Sequence, residues 1–443
     1  MPDAGVSERS DMGRGLRAQV PRSSQAAWTA PARRRDPVEI IRGQEATRIS
    51  SLLPIRHERM GVSPFAYFRG AAAVMAEDLA QTPCCGLRVQ ACGDAHLLNF
   101  GSYATPERRV VFDVNDFDET LQAPFEWDVK RLATSLVVAG RDRGFAAREC
   151  ATAAQEAVGA YRSRMATSAQ MGHLEVWYAR FDADALVTLA ARAGARALSS
   201  DVLRKAQHHT NLTALEKLTE IVDGQRRIVD APPLVEHLHD PVDSVDAAAV
   251  VGQYADSLGD ATRKLLGRYR PVDWARKVVG VGSVGTDDAV VLLMGDSDAD
   301  PLFLQVKEAG ASVLEPFAGA SPYDNHGRRV VAGQRLTQAA SDLFLGWTRM
   351  GERDYYVRQL RDMKGSVPLD KLSADELAQY GQACGSALAM GHARSGDAVA
   401  IAAYLGAGDR FDRAVTAFAD VYADQNADDY RAFVAAMPAP ATA

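Results

Sequence analysis

Between positions 94 and 128 the chain sets Asp94, His96, Asn99, Asp113, Asp116, Asp118, Glu119 and Asp128, several of them beside apolar, strand-forming residues rather than in a solvated charge run. A carboxylate at the end of a buried strand is costly unless it is paired or bound to a cation. Any one of these acids is accounted for by capping a turn or a helix. The ordered set asks for more. GDAHLLN places Asn99 five positions after Asp94, and the strand RRVVFDVND follows. One loop can therefore supply a base and one metal ligand, and the next strand end another ligand. Hard oxygen donors with an asparagine nearby suit magnesium, which takes few protein ligands and shares its shell with substrate phosphates.

The texture changes near residue 275. RKVVGVGSVGTDDAVVLLMGDSDADPLFLQVKEA alternates apolar runs with Gly and Asp turns, the pattern of consecutive antiparallel strands. Gly280, Gly282 and Gly285 form G-x-G-x-x-G around Ser283. A dinucleotide fingerprint has to open a helix, whereas TDDAVVLLMG is strand-like and leads through a turn to LFLQV and Lys307. Strand, glycine loop, strand, turn and strand with lysine is the layout of a kinase nucleotide lobe, in which glycine-freed amides approach phosphate and the lysine neutralises it. Kinases pair that lysine with a Glu on the next helix. The predicted helix VVAGQRLTQAASDLFLGW carries none, which leaves Glu315, Glu308, Gln338 and Asp342 as alternatives. YYVRQLRDMKG is the candidate hinge strand that would receive adenine.

Elsewhere the pattern is mainly helical. SPFAYFRGAAAVMAEDLA, WDVKRLATSLVVAGRDRG, the Ala-rich region from 146 to about 238, and the chain from Ser373 onward all read as helix. Residues 1–45 mix Arg, Ser, Pro, Gly and Ala, a composition expected of a flexible arm. The expected organisation is thus an arm (1–45), a helical lobe bearing the catalytic and metal-binding loops (46–269), a β-rich nucleotide lobe (270–365) and C-terminal helices that pack back on the helical lobe (366–443). Arg56, Arg59 and Arg69 are candidate phosphate contacts, against the commoner role of ion pairing. His208 and His209 read as ordinary helix-end residues, and His392 and Asp397 reach the site only if their helix packs there.

A net charge of −7 and a pI near 5.8 provide no basic footprint for DNA or RNA. Five scattered cysteines form neither a CxxC metal pattern nor a disulfide framework, as in a reducing cytosol. With no apolar leader and no long apolar run, the expectation is a cytoplasmic protein with no membrane and no nucleic-acid partner; the oligomeric state stays open.

GDAHLLN, the following strand and the helix beginning at WDVK resemble the catalytic region of aminoglycoside phosphotransferases and choline kinases. That resemblance implies Asp94 as the catalytic Asp, His96 beside it, Asn99 and Asp116 as magnesium ligands, and Asp128 as the helix Asp bracing the catalytic loop. Asp113 or Asp118 can replace Asp116 in that alignment, and Cys92 stands where those families usually have His. Taken whole, PIRHERMGVSPFAYFRGAAAVMAEDLA, CGDAHLLNFG, VFDVNDFDET, PFEWDVKRLATS, VGVGSVGT, FLQVKEA, GQRLTQAASD and GHARSGD resemble the bacterial family called domain of unknown function 2252. The fold class implied is α+β, a two-lobed protein-kinase-like fold in circularly permuted order. The expected function is transfer of the ATP γ-phosphate, with Mg2+, to a small-molecule hydroxyl. Protein AMP transfer, silent nucleotide binding and, lower still, a metallophosphoesterase are the competing expectations. The phosphoesterase needs a further D-x-H ahead of GDAH and a later GNH with an acid, and the chain has neither.

Overall fold

A computed structural model describes residues 4–182, 211–237, 247–278, 280–297, 299–360, 365 and 367–437, in a mixed α+β architecture. The acid-rich segment is built on two short antiparallel pairs, β1 (Arg88–Ala91) with β4 (Leu121–Pro124) and β2 (Phe100–Ala104) with β3 (Val110–Val114). Because β4 returns beside β1 with Ala91 opposite Leu121, GDAHLLN and the NDFDET turn are forced together. Gly93 marks how tightly. Its φ is +81°, and a Cβ there would lie 2.3 Å from the Glu119 carbonyl oxygen.

From β4 the chain passes straight into the helix Phe125–Asp142, almost wholly buried. Helices Ala147–Ser168, Ala374–Ser395 and Arg410–Ala436 pack around it. The Ala374–Ser395 helix starts at a Ser373/Glu376 capping box, the reciprocal pairing that satisfies end amides. It approaches Ala147–Ser168 closely because Gly385 has no Cβ to meet the Ala157 carbonyl.

A small hairpin, β5 (Thr219–Val222) and β6 (Gln225–Ile228), and the short strand β7 (Val235–Glu236) follow. β8 (Arg270–Lys277), β9 (Ala289–Met294), β10 (Pro301–Ala309), β11 (Gly346–Met350) and β12 (Arg353–Gln359) join β7 in an antiparallel sheet of order β11-β12-β10-β9-β8-β7. Strand periodicity sorts its residues onto two apolar layers. Val291, Leu293, Leu304 and Val306 pack with Tyr254, Leu258 and Leu266, and Val290, Leu292 and Phe303 pack with Leu215 and Ile228.

Several expectations change. Residues 211–237 and 247–266 pack on the β-rich sheet, so that lobe begins well before 270, and residues 219–228 form a hairpin and Val235–Glu236 a strand rather than helix. A short helix, Glu315–Ala318, follows β10, and the predicted longer helix is His326–Thr337, started by the Asn325 side chain at the Arg328 amide; Asp342 lies beyond its end. Residues 63–80 form two helices, Pro64–Gly70 and Ala72–Leu79, broken at Ala71. Residues 4–45 are not a loose arm. Helix Val6–Gln19 lies on the helix Ala398–Leu405, and Arg34 forms ion pairs with Asp78 at 2.7 Å and Asp429 at 2.6 Å, all three largely buried. Helix Pro37–Glu45 buries Val38, Ile40 and Ile41. Among the described residues, no helix is long and apolar enough to cross a membrane. His208 and His209 lie outside the described residues.

Candidate active site

The floor of the site is a loop held by the helix behind it. Asp128, in the first turn of Phe125–Asp142, accepts the amides of Cys92 at 2.8 Å and Gly93 at 3.0 Å, and His392 Nε2 at 3.1 Å. His392 is fixed in turn by the Tyr161 hydroxyl, 2.8 Å from Nδ1. Asp128 thus stands behind the loop and braces it, and the GHARSGD helix contributes its histidine to that brace. One turn along, Arg131 grips the Asp94 carboxylate through Nε at 2.8 Å and Nη2 at 2.7 Å, and donates to the Phe68 carbonyl at 2.8 Å. Burial pushes the Asp94 carboxyl above its ordinary value, against the pull of Arg131. Asn99 Nδ2 donates to the Asp94 carbonyl at 2.7 Å, leaving the amide oxygen as the end available to a cation. His96 Nδ1 accepts the Leu98 amide at 3.2 Å, which puts the proton of the neutral ring on Nε2, 3.7 Å from Asp94. Burial, then the charges of Arg69 and Arg131, keep that ring well below its usual titration range.

The three strand-end acids separate. Asp113 is buried away from the cleft, where its carboxylate accepts the amides of Val114 and Ala339, and burial lifts it to about 6. Asp116 and Asp118 face the cleft with side chains 37% and 30% exposed. Lys307 reaches both from β10. Its Nζ lies 2.6 Å from Asp118 Oδ2 and 4.0 Å from Asp116 Oδ1. Tyr356, opposite Lys307 in the sheet register, donates its hydroxyl to Asp118 Oδ1 at 2.6 Å. Burial raises both carboxyls; at Asp118 the ammonium and the phenol outweigh it and hold the group below the ordinary value, whereas Asp116, beside the negative Asp118, is raised. Lys307 is itself buried, and its carboxylate neighbours hold its proton well above the ordinary lysine range.

These groups share one cavity of about 540 Å³, lined by Asp94, His96, Asn99, Asp116 and Asp118 below and by Gly280, Gly282 and Ser283 above. Lys307 lies just behind its acid wall. Gly285 anchors the roof: its carbonyl accepts the Ile49 amide at 2.8 Å, its φ is +94°, and a Cβ would meet Arg48 at 3.1 Å. Arg59 donates to the Gly280 carbonyl at 2.6 Å and Arg48 to that of Val284 at 2.5 Å. Val281 inserts among Val38, Ile41, Met60 and Tyr67.

The alternatives for a Lys307 partner fall elsewhere. Glu315 accepts the Ser312 amide at 3.1 Å and lies 4.0 Å from Arg329. Glu308 accepts the Asp287 amide at 2.8 Å, Gln338 donates to the Val114 carbonyl at 2.6 Å, and Asp342 accepts the Phe344 amide at 2.8 Å. The helix His326–Thr337 instead presents Arg329, which clamps the carbonyls of Thr120, Asp118 and Gly310 at 2.7–2.8 Å. Sequence reading missed Arg131, Tyr356 and Arg329. Arg131 had a signal, three positions after Asp128 on the same helix face. The other two became visible only through strand register and helix packing.

No curated protein matches the chain, and no solved structure matches it. A family model does, over residues 48–436: the chain belongs to DUF2252, the family described as uncharacterized protein conserved in bacteria.

Proposed function

We propose that the chain is an ATP- and magnesium-dependent phosphotransferase with a circularly permuted, kinase-like arrangement, acting on a small-molecule hydroxyl. The observation that carries this reading is the meeting of Lys307 with Asp118 and Asp116, brought from separate segments into the cleft that also holds Asp94, Asn99 and the glycine roof. A lysine and a carboxylate that bind one polyphosphate have to stand within about 10 Å of each other, given contact distances near ~3 and ~2 Å on either side.

The donors fit magnesium. Asp116 is open to the cleft, and the Asn99 oxygen faces away from the bond that anchors its nitrogen. Among the described residues, no three His, Cys, Asp or Glu side chains converge into a metal cage. An ion held by Asp116 and Asn99 would complete its shell with phosphates and water, magnesium's usual habit. When bound, it supplies charge neutralisation at the transferring phosphoryl. Asp94, oriented by Arg131 and raised by burial, receives the proton of the acceptor hydroxyl as that oxygen bonds to the γ-phosphorus and the bond from that phosphorus to the bridging oxygen breaks, releasing ADP. His96, neutral with Nε2–H turned to Asp94, keeps a donor rather than a second cation beside the base. Lys307 neutralises the inner phosphates, and Asp118 and Tyr356 hold it in place.

One observation favours a second reading. Lys307 faces an aspartate from the catalytic segment, and the adjacent helix offers Arg329 in place of a Glu, a change compatible with adenylyl transfer or silent binding. The test has two parts. ATP should raise Tm only with a divalent ion, and Asp116→Ala should remove that dependence. The mass of a modified acceptor then separates a phosphoryl adduct from an adenylyl one. A metal-independent ATP shift, or none, would sink the proposal.

A further inference from the structure

Other arginines in and around the cleft wall are committed. Arg56 is paired with Glu45 at 2.8 Å, Arg59 and Arg48 hold roof carbonyls, and Arg131 holds Asp94 and Phe68. Arg69 is different. Among the described residues its side chain makes no hydrogen bond or ion pair, its Nε is buried without a partner, and it lines the cavity. A half-buried guanidinium whose Nε is out of water and whose charge touches no carboxylate carries a cost that is offset when an anion arrives.

Its position is fixed on both sides. Arg131 ties the end of the helix Pro64–Gly70 to Asp94 by bonding the Phe68 carbonyl, and Gly282 of the roof sits over the Arg69 carbonyl, where a Cβ would come to 3.5 Å. Arg69 therefore stands on the cavity wall between the roof and the loop that carries Asp94. Asp94 supports its charge without touching it, and His96 is neutral there, so the Nη donors of the guanidinium stay open to a ligand.

We infer that Arg69 forms an oxyanion subsite on the acceptor side of the cleft, so that the acceptor carries a phosphate or carboxylate near its reacting hydroxyl. The word acceptor rests on the phosphotransferase reading; the anion subsite does not. An arginine fork suits a planar or tetrahedral oxyanion held by two parallel bonds. The same chemistry could come from the terminal phosphoryl of the nucleotide, and the experiment separates the two.

Thermal shifts are measured for the full chain and for Arg69→Met and Arg69→Lys, with Mg·ATP, Mg·ADP, inorganic phosphate, and phosphate added to Mg·ADP. The expected result is that phosphate stabilises wild type with or without Mg·ADP, that Arg69→Met weakens phosphate binding by about tenfold or more while keeping both nucleotide shifts, and that Arg69→Lys falls between. The retained nucleotide shifts show that the variant folds. Loss of the Mg·ATP shift alone would assign Arg69 to the transferred phosphoryl and overturn the acceptor assignment. No phosphate shift in wild type would overturn the subsite. An Arg69-dependent phosphate shift with no nucleotide effect in any form would uphold the subsite and sink the phosphotransferase reading instead.

Discussion

The floor and the roof of the cleft are held in opposite ways. On the floor, Asp128, Arg131 and Asn99 fix the GDAHLLN loop from within residues 92–131, through bonds to Cys92, Gly93 and Asp94. On the roof, the glycine loop bonds to residues more than two hundred positions away, through Arg48, Ile49 and Arg59, and its Val281 is buried among N-terminal helices. A floor built from neighbours keeps its geometry whatever the lobes do. The roof keeps its place only while residues 37–70 stay docked. Glycine loops gain phosphate contact through backbone freedom, and here the N-terminal helices remove part of that freedom.

The largest break falls on the floor's brace. Asp128→Ala strands two buried amides and the His392 donor, so a loss of about 3–5 kcal/mol is expected, with activity lost alongside. Denaturant midpoints of Asp128→Ala and Asp128→Asn check it; an Ala variant as stable as wild type would mean that the loop needs no brace. Next comes Asp94→Asn. It keeps the shape and should keep Mg·ATP binding while turnover falls on the order of 10²–10⁴. Equal loss of binding and rate would move Asp94 from base to metal ligand.

Arg59→Ala tests the roof, with a smaller effect. Removing a bond to the Gly280 carbonyl should weaken nucleotide binding by about 3–10-fold, near the net value of one exposed hydrogen bond, and leave turnover of bound substrate unchanged. Hydrogen exchange should quicken at residues 280–286 and stay as in wild type at 92–99. If both segments loosen together, floor and roof are one unit and the contrast is wrong.

Much of the floor was legible because its spacing is local: Asp94 to Asn99, and Asp116 to Asp128, are read along one segment. Lys307 was legible as a residue type at a strand end, but its partner Asp118 was not, since nothing local links them. The N-terminal segment misled because its composition reads as loose. Its arginines Arg17, Arg22 and Arg34 are satisfied by the Tyr404 and Leu405 carbonyls, Asp78 and Asp429, partners that no local pattern announces. The β5–β6 hairpin had a signal in Asp223-Gly224, both with positive φ, but four-residue strands are too short to assert themselves against an Ala-rich surround.

The smallest effect expected concerns pH, and it again divides the two regions. On the floor, His96 is kept neutral by burial, so it adds no titration near neutrality. In the roof's lobe, His237 joins the Asp230 carboxylate at 2.8 Å and Asp273 at 3.0 Å, tying the end of β7 to β8. Burial alone would lower its pKa, but the two hydrogen-bonded carboxylates win and raise it above 6.5. A folded-state value above the unfolded one means that the protonated form stabilises the fold. That contribution is complete below the unfolded value near 6.5 and is lost as pH rises through the higher folded value. His237→Gln should therefore lower Tm by about a degree or two at pH 6 and by less at pH 9, with the difference confined to the β-rich lobe. Melting curves of both forms between those pH values check it. A gap that widens toward alkaline pH would mean that the neutral ring is the form the fold prefers.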